Sequence, residues 1–307
     1  MPTQELNTAI YDRLESSGHK GEIVSVRHVN DLRERLRGQY QQGLLDEKFH
    51  TEWLQHFEYG VSKEVADTGS LIIVATPQPQ VRIGFNVNGI PHTFIVPATY
   101  SHGTDKPVER LLEDVLQPEG YQVIRAVLPM KLLAVRSGLA RYGTNNITYV
   151  EGMGSFHRLT AFVSDLPCTQ DHWGELKTLK RCDECTLCQK ACPTDAIGTD
   201  RFLLHAERCL TYFNEGKEDF PRWLDPYWHN CLVGCLYCQK VCPIDREFKD
   251  RIAEGATFSQ AETAAILEGV PKEALPPEAV QKLEALDLTE YLEVLGRNLR
   301  VLMDKVA

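Results

Sequence analysis

The chain has 307 residues, 43% of them apolar, so it has room for two domains and can bury an ordinary core. Its formal net charge of −10 argues against a large surface for nucleic-acid phosphates, which would need clustered Lys and Arg. It starts without a basic-then-apolar signal segment and has no apolar run of about 18 residues. We therefore expect a cytoplasmic protein that does not cross a membrane.

The first part of the chain combines helical and strand patterns. Asn30 or Asp31 is a candidate cap for an early helix. The apolar, β-branched run 70–75 predicts a buried strand. Residues 81–96 predict a hairpin, because alternating apolar positions flank Asn88-Gly89, a dipeptide typical of tight hairpin turns.

Further elements follow in the same half. Residues 108–116 and 131–141 have helical spacing, and residues 147–150 and 156–163 are typical of strands. Strands mixed with helices and a hairpin favour an α+β fold over a strictly doubly wound one.

Residues 121–160 are basic, in contrast to the chain as a whole. Five cations stand there against the single acid Glu151: Arg125, Lys131, Arg136, Arg141 and Arg158. Two readings stay open, a solvated helix face or a rim for an anionic ligand such as a phosphate-bearing cofactor.

Nine of the ten cysteines fall within residues 182–242, and eight of these nine have iron–sulfur spacing. The first four form C-x2-C-x2-C-x3-C before Pro193, which is the bacterial two-cluster signature. In that arrangement the fourth cysteine of the run binds the other cluster. One 4Fe–4S cluster is therefore expected on Cys182, Cys185, Cys188 and Cys242, and the other on Cys192, Cys209, Cys235 and Cys238.

Zinc and disulfides are the alternative uses of such cysteines. Structural zinc usually pairs two C-x2-C knuckles, and a disulfide framework suits short secreted chains, so neither matches this spacing well. Cys231 could replace Cys209 as a ligand, because it lies four residues before Cys235. Cys168 is read as a small buried apolar residue.

The end of the chain has helical patterns. Ser259 and Glu262 form a capping box, Pro276-Pro277 begins another helix, and 289–306 predicts a third. The predicted organisation is a mixed α/β sheet domain at 1–165, a ferredoxin-like double-cluster module at 166–250 and helices at 251–307 that pack on the body.

The cluster segment resembles that of the epoxyqueuosine reductases. The resemblance is carried by Cys192-Pro-Thr-Asp-Ala-Ile197, Arg208-Cys-Leu-Thr-Tyr212, Gly234-Cys235 and Cys238-Gln-Lys-Val-Cys-Pro243. Upstream, Ser137-Gly-Leu-Ala-Arg-Tyr-Gly-Thr-Asn-Asn146 is similar to the family's Ala-Gly-Leu-Gly-Trp-Ile-Gly-Lys-Asn loop, and Gly154-Ser155 to its Gly-Ser pair. Ala98-Thr-Tyr100 and Asp105 match more weakly.

That resemblance implies a cobalamin in the N-terminal domain, whose cobalt is reduced by the nearer of the two clusters. It implies that Gly143, Asn145, Gly154 and Ser155 line the corrinoid pocket, although glycines and an Asn-Asn pair also serve as ordinary turn residues. Arg141 is a candidate for an anionic substrate or the corrinoid phosphate, and Arg125 is another.

The chain departs from the family at the catalytic aspartate, which is read as the proton donor. The matching position here is Ala126, or Ile124 if the gap is placed differently, and neither side chain can donate a proton. The family's loop lysine is Thr144, and a helical-repeat extension is missing. We therefore expect a divergent relative that does not reduce epoxyqueuosine in tRNA, with Tyr100, His102 and His157 as weak candidates for a proton donor.

Two functions remain open. The first is a corrinoid-dependent iron–sulfur oxidoreductase that receives electrons from a ferredoxin or flavodoxin and acts on a small molecule or a protein. The second is an electron-transfer or activation protein that reduces a partner protein and holds no corrinoid. A flavin in the same pocket is a third option, although no dinucleotide G-x-G-x-x-G motif follows a strand.

Overall fold

The computed structural model describes residues 2–60, 69–100 and 102–305. The chain divides into two compact units, each built from two separate stretches. Unit 1 contains Met1–Pro77 and Thr104–Cys185, and unit 2 contains Gln78–Gly103 and Thr186–Ala307.

The strands are β1 (Lys20–Ser25), β2 (Ser70–Pro77), β3 (Gln80–Val87), β4 (Ile90–Val96), β5 (Val123–Ala126), β6 (Arg141–Tyr142), β7 (Thr148–Tyr149), β8 (His157–Ser164) and β9 (Ile252–Phe258). The α-helices are α1 (Thr3–Ser16), α2 (Val29–Gln41), α3 (Glu47–Phe49), α4 (Asp105–Leu116), α5 (Met130–Arg136), α6 (Leu187–Ala191), α7 (Leu210–Glu215), α8 (Tyr237–Lys240), α9 (Gln260–Glu268), α10 (Pro277–Ala285) and α11 (Leu292–Asp304). A π-helical turn, His50–Leu54, continues α3.

Unit 1 is built on a four-stranded antiparallel sheet in the order β1-β2-β8-β5. The predicted strand at 70–75 is confirmed as the buried strand β2, which pairs with β1 on one side and β8 on the other. Successive residues of a strand point to opposite faces, so an unbroken apolar run suits a strand covered on both. Leu71 and Ile73 join one core cluster, and Ile72 and Val74 join another.

Helices cover both faces of this sheet. On one face α1 and α4 pack with Leu6, Ile10 and Leu112 in the same cluster as Ile72. On the other face α2 and α5 contribute to the cluster that contains Leu71. Unit 1 therefore has three layers, helix, sheet and helix.

Two predicted helix boundaries in unit 1 were wrong. The early helix is not capped by Asn30 or Asp31, because a 3-10 turn capped by Ser25 leads into α2 at Val29. The helix predicted at 131–141 ends at Arg136, since Gly138 takes a left-handed φ of 89°, a conformation that stops a helix.

Unit 2 contains a three-stranded sheet in the order β4-β3-β9. The predicted hairpin is confirmed, with φ of 50° at Asn88 and 79° at Gly89, as a tight turn of this type requires. Strand β9 was not predicted, because residues after 250 were expected to be helical. It pairs in parallel with β3, and Gly255 allows the close approach, since a Cβ there would lie 2.7 Å from Val81 Cγ1.

The last helices pack on this sheet. The capping box of Ser259 and Glu262 is confirmed at the start of α9, and α10 begins at the predicted proline. The predicted third helix is α11, preceded by the 3-10 turn Thr289–Tyr291; residues 306 and 307 lie outside the described part of the chain. These helices share one core with the hairpin, including Phe85, Phe258 and Leu299.

The α+β fold class is confirmed. The division into 1–165, 166–250 and 251–307 concerns functional segments and stays a prediction, while the packing units follow different limits. None of the helices within residues 2–60, 69–100 and 102–305 combines the length and apolar character needed to cross a bilayer. The cytoplasmic location stays a prediction.

Candidate metal centre

The cysteine-bearing segment of unit 2 consists of short helices joined by turns. Cys188 lies in α6 and Cys192 directly follows that helix, while Cys238 lies in α8 and Cys242 follows it. Helices α6 and α8 pack against each other, and Cys209 is the N-cap residue of α7. All ten cysteines of the chain are free thiols.

Three of the four cysteines expected to hold the second cluster come together. Burial raises the pKa of Cys209, and the nearby Cys192 raises it further. Burial likewise raises the pKa of Cys235 to about 12, with contributions from Cys209 and Cys192. Thiols crowded in this way need a cation to become thiolates together, which is what iron supplies.

Hydrogen-bond donors are directed at two of these sulfur atoms. Cys209 Sγ accepts from the backbone N–H and the hydroxyl of Thr211. Cys235 Sγ accepts from the backbone N–H of Tyr237 and from Asn230 Nδ2 at 3.4 Å. Such donors stabilise thiolate ligands and tune a cluster's potential, so the residues present fit a 4Fe–4S cluster.

A site for a single metal ion needs a different arrangement of ligands from a 4Fe–4S cluster. Within residues 2–60, 69–100 and 102–305, no group of three or more His, Cys, Asp or Glu side chains is arranged to hold one metal ion. In a 4Fe–4S cluster the four cysteine thiolates hold several irons instead of converging on one.

The first expected set is divided between the two units. Cys182 ends a 3-10 turn of unit 1, and the N–H of Cys185 bonds to its carbonyl at 3.2 Å. Cys188 and Cys242 belong to unit 2. This ligand set stays a prediction.

The two remaining cysteines have distinct surroundings. Cys231 is fully buried, its thiol donates to Asn230 Oδ1 at 3.1 Å, and burial raises its pKa well above the usual value. Cys168, predicted to be a small buried apolar residue, is half-buried, and burial and Asp171 raise its pKa to about 11. Neither thiol has the lowered pKa of an activated nucleophile.

Side chains of helices α7 and α11 form hydrogen bonds to the loops near Cys209 and Cys235. Asn298 Nδ2 donates to the carbonyls of Asn214 and Leu232, both at 2.9 Å. Asn214 Nδ2 in turn donates to the carbonyl of Gly234 at 2.7 Å. Nothing in the cysteine spacing pointed to these asparagines, because they lie outside the motif.

The structure places the proton-donor candidates in different surroundings. Tyr100 is buried, donates its hydroxyl to Glu215 and packs on Gly234, and burial raises its pKa well above 10. His157 is buried with both ring nitrogens bonded, to Thr148 Oγ1 and to the Gly154 carbonyl, each at 3.1 Å. Burial lowers its pKa to about 4, so it is neutral near pH 7. The side chain of His102 lies outside the described residues.

The expected corrinoid residues form a self-contained loop in unit 1. Gly143 and Asn145 stand in the turn between β6 and β7, where Asn145 Nδ2 donates to the Tyr149 hydroxyl at 3.0 Å. Gly154 has a left-handed φ of 57°, and both it and Ser155 are buried. Arg141 is exposed. The buried members therefore fit the ordering of this loop, and Arg141 is the one whose side chain faces solvent.

The basic stretch contains an ion-pair network that the sequence did not predict. The buried Asp105 accepts from Arg158 Nε at 2.9 Å and Nη2 at 2.8 Å, and from Thr160 Oγ1 at 2.8 Å. The half-exposed Arg125 contacts the same carboxylate at 2.7 Å. Arg125 and Arg158 thus form ion pairs with Asp105. Neither interpretation of the basic stretch, a solvated helix face or a rim for an anionic ligand, applies to these two arginines.

The position of the family's proton-donating aspartate falls on β5. Ala126 ends this strand and pairs with Ala161, and Ile124 is 64% exposed. Neither aligned position therefore carries an acidic side chain of its own.

Comparison with known proteins matches the cysteine segment to one family. The family described as a 4Fe-4S double cluster binding domain matches residues 181–245. Epoxyqueuosine reductase from Cyclobacterium marinum is 36% identical over 114 residues, 37% of this chain and 36% of that protein. The enzyme of the same name from Leadbetterella byssophila is 34% identical over 137 residues, 44% of this chain and 43% of that one. The matches thus span less than half the length of these relatives.

Solved structures are similar over a longer stretch. Epoxyqueuosine reductase from Bacillus subtilis has a TM-score of 0.66 at 19% identity, covering 99% of this chain and 82% of that one. An epoxyqueuosine reductase bound to an epoxyqueuosine-modified tRNA stem loop has a TM-score of 0.68 at 19% identity, with the same coverage. At this identity the likeness shows the fold.

The comparisons confirm the resemblance to epoxyqueuosine reductases that the sequence motifs indicated. They also confirm the prediction of two 4Fe–4S clusters. The chain is an iron–sulfur protein with an α+β fold.

Proposed function

We propose that the protein is a reductase that passes electrons through its two 4Fe–4S clusters to a corrinoid held by the N-terminal half of the chain. The observation that carries the proposal is the convergence of Cys192, Cys209 and Cys235 inside the double-cluster segment. Its partners would be a low-potential donor of the ferredoxin or flavodoxin type and a small-molecule or protein substrate. We propose that epoxyqueuosine in tRNA is not that substrate.

The chain's own residues would act on the clusters by holding them and adjusting their surroundings. Cys182, Cys185, Cys188 and Cys242 would hold one cluster and Cys192, Cys209, Cys235 and Cys238 the other, and the clusters would supply one-electron transfer. The hydrogen bonds from Thr211, Asn230 and Tyr237 to sulfur would favour the reduced form, because they offset negative charge. Cys209 and Cys235 are half-buried, so these two ligands would be partly shielded from water.

The corrinoid part of the proposal is supported by the fold and by the loop at residues 137–155. A corrinoid would supply a low-potential cobalt centre for reducing the substrate. Gly143, Asn145, Gly154 and Ser155 would order the loop that lines the pocket, and the exposed Arg141 would contact the corrinoid phosphate or an anionic substrate.

The second candidate is an electron-transfer or activation protein without a corrinoid. Two observations favour it. Ala126 and Ile124 offer no proton, and the buried loop side chains are satisfied by their own neighbours. This protein would have full cluster content and would reduce a partner protein.

Anaerobic reconstitution followed by absorbance spectroscopy with added cobalamin separates the two candidates. The reductase is expected to contain about eight irons and to shift added cobalamin to a base-off spectrum. Arg141→Ala should weaken that uptake, whereas Arg37→Ala, a change at an exposed arginine of α2, should not. Full iron content with no change in the cobalamin spectrum would refute the corrinoid proposal and support the electron-transfer protein.

A further inference from the structure

The two short helices that carry cluster cysteines have nearly the same sequence. Cys188-Gln-Lys-Ala-Cys192-Pro193 on α6 corresponds to Cys238-Gln-Lys-Val-Cys242-Pro243 on α8. The two helices pack against each other within unit 2. Equivalent positions of the repeat can therefore be compared directly.

The two copies of the repeat differ in how far equivalent side chains are exposed to solvent. Leu187 is 44% exposed and Val241 38% exposed, and each directly precedes an expected ligand of the first cluster, Cys188 or Cys242. Their counterparts, Tyr237 and Ala191, precede expected ligands of the second cluster and are half-buried. The apolar residues beside the first cluster thus face solvent, while those beside the second are partly covered.

The segment expected to hold the second cluster also packs against other parts of unit 2. Tyr100 packs on Gly234, next to Cys235, and Asn298 of α11 donates to the carbonyl of Asn214, whose side chain donates to the carbonyl of Gly234. A protein partner therefore has easier access to the Leu187–Val241 side, which suits electron entry at the first cluster.

Two exposed lysines belong to this repeat, although the chain as a whole carries −10. Lys190 and Lys240 occupy equivalent positions in the repeat, and both are exposed in the last turn of their helices. Lysines at helix ends also complement the helix dipole, but helices of five and four residues have only a small one. Exposed apolar side chains with lysines around them suit an acidic protein partner.

We propose that Leu187, Lys190, Lys240 and Val241 form the docking surface for a small acidic one-electron carrier of the ferredoxin type. One electron leaves the carrier's reduced cluster, which becomes oxidised, and reduces the first 4Fe–4S cluster by one electron; no bond forms and no proton moves. This inference rests on the proposed function only in requiring both clusters, and it holds with or without a corrinoid.

Stopped-flow reduction of the anaerobic holoprotein tests the surface, with reduced plant-type 2Fe–2S ferredoxin as the probe. Lys190→Glu with Lys240→Glu should lower the second-order rate constant at low salt by roughly 10- to 100-fold, because electrostatic steering contributes factors of that size. Reduction by dithionite, a small anion that needs no docked complex, should change by less than about threefold. Added salt should lower the wild-type rate and narrow the difference between the proteins.

Control variants distinguish a loss of docking from damage to the clusters. Ile90→Glu and Lys106→Glu alter exposed residues outside the cysteine repeat and should leave the ferredoxin rate unchanged. Lys190→Gln with Lys240→Gln should slow reduction by less than the charge reversal does, with iron content equal to wild type. Leu187→Asp should slow reduction by ferredoxin more than reduction by dithionite.

The proposal is overturned if the charge-reversed protein keeps its iron and accepts electrons from ferredoxin as fast as wild type. It is equally overturned if the rates of reduction by ferredoxin and by dithionite fall by the same factor. A preparation without clusters would instead refute the proposed function, since no variant would then be reduced by either reagent.

Discussion

At the scale of single residues, Asn230 separates two cysteines that sequence spacing left as alternatives. The backbone N–H of Leu236 donates to Asn230 Oδ1 at 3.0 Å, which fixes the orientation of the amide because an N–H can bond only to the oxygen. The same oxygen faces Cys231, whose sulfur must therefore donate and keep its proton. The amide nitrogen faces Cys235 Sγ, where a thiolate can accept. This pattern favours Cys209 over Cys231 as the fourth ligand.

Exchanging each cysteine for serine tests that assignment. Cys209→Ser should lose one cluster, about half of the iron, because a hydroxyl replaces a thiolate ligand. Cys231→Ser should keep both clusters and change the free energy of unfolding by about 1 kcal/mol, since a buried hydroxyl can still donate to Asn230. Iron and sulfide analysis with EPR of the dithionite-reduced protein measures this. Loss of a cluster only in Cys231→Ser would reverse the assignment.

Asp105 is a buried carboxylate of unit 1 that contacts Arg158, Thr160 and Arg125. Burial alone would raise its pKa, but the hydrogen bonds and charge of Arg158, with help from Thr160 and Arg125, hold the pKa below its usual value. A carboxyl whose folded pKa is lowered stabilises the fold above its unfolded pKa, about 3.9, and this contribution is lost as pH falls through the folded pKa.

Asp105→Ala should therefore lower the free energy of unfolding by about 3–5 kcal/mol, because it removes the buried carboxylate that pairs with the charge of Arg158. Arg125→Ala removes a half-exposed partner of the same carboxylate and should cost about 0–1 kcal/mol. Denaturant unfolding followed by circular dichroism measures both. The Asp105→Ala deficit should stay constant above about pH 5 and shrink as pH falls below about 4, where the unfolded chain's carboxyl is protonated first and the folded one at lower pH. Equal losses in the two variants would contradict this account.

At the scale of elements, short-range signals predicted structure well and long-range pairing was missed. The Asn88-Gly89 turn and the Ser259 capping box depend on neighbouring residues, so the sequence alone sufficed for them. Strand β9 is stabilised by β3, about 170 positions earlier in the chain, and no local pattern in 252–258 reveals that partner. Likewise the cysteine motif predicted the ligands, but not Asn298, whose contacts depend on how α11 packs.

Helix α11 should act as a clamp on the second cluster. Asn298→Ala would remove the Nδ2 donor from the buried carbonyls of Asn214 and Leu232, at a cost of about 1–3 kcal/mol, although the Asn214 carbonyl keeps a 3.4 Å contact with Arg297 Nη2. The loops of Cys209 and Cys235 would then open more often, and iron should pass to a ferrous chelator several-fold faster than in wild type.

Glu293→Ala provides the control on the same helix. Glu293 is 67% exposed and pairs with Lys217 at 2.7 Å, so its removal should alter neither iron release nor stability by much. If Asn298→Ala released iron no faster than Glu293→Ala, the clamp would have no bearing on the cluster.

At the scale of the whole molecule, the two packing units do not follow the order of the sequence. The hairpin from the first third of the chain lies in the same core as the last helices, and it brings Tyr100 to Gly234 and Glu215. The second cluster's surroundings are therefore built from three distant parts of the chain. These parts were predicted to lie in different domains, because residues that are adjacent in the chain were assigned to the same domain.

The charge of the whole molecule bears on the choice of substrate. A protein that binds a tRNA stem loop needs several Lys or Arg contacts to phosphates, whereas this chain carries −10, and Arg125 and Arg158 are bound to Asp105. In a gel-shift titration at about 0.15 M salt, we expect no retarded complex with an epoxyqueuosine-modified stem loop. The Escherichia coli relative, named epoxyqueuosine reductase, serves as the comparison protein under the same conditions. A complex formed by this chain, with an affinity that falls steeply as salt is added, would contradict the expectation and would return tRNA to the list of substrates.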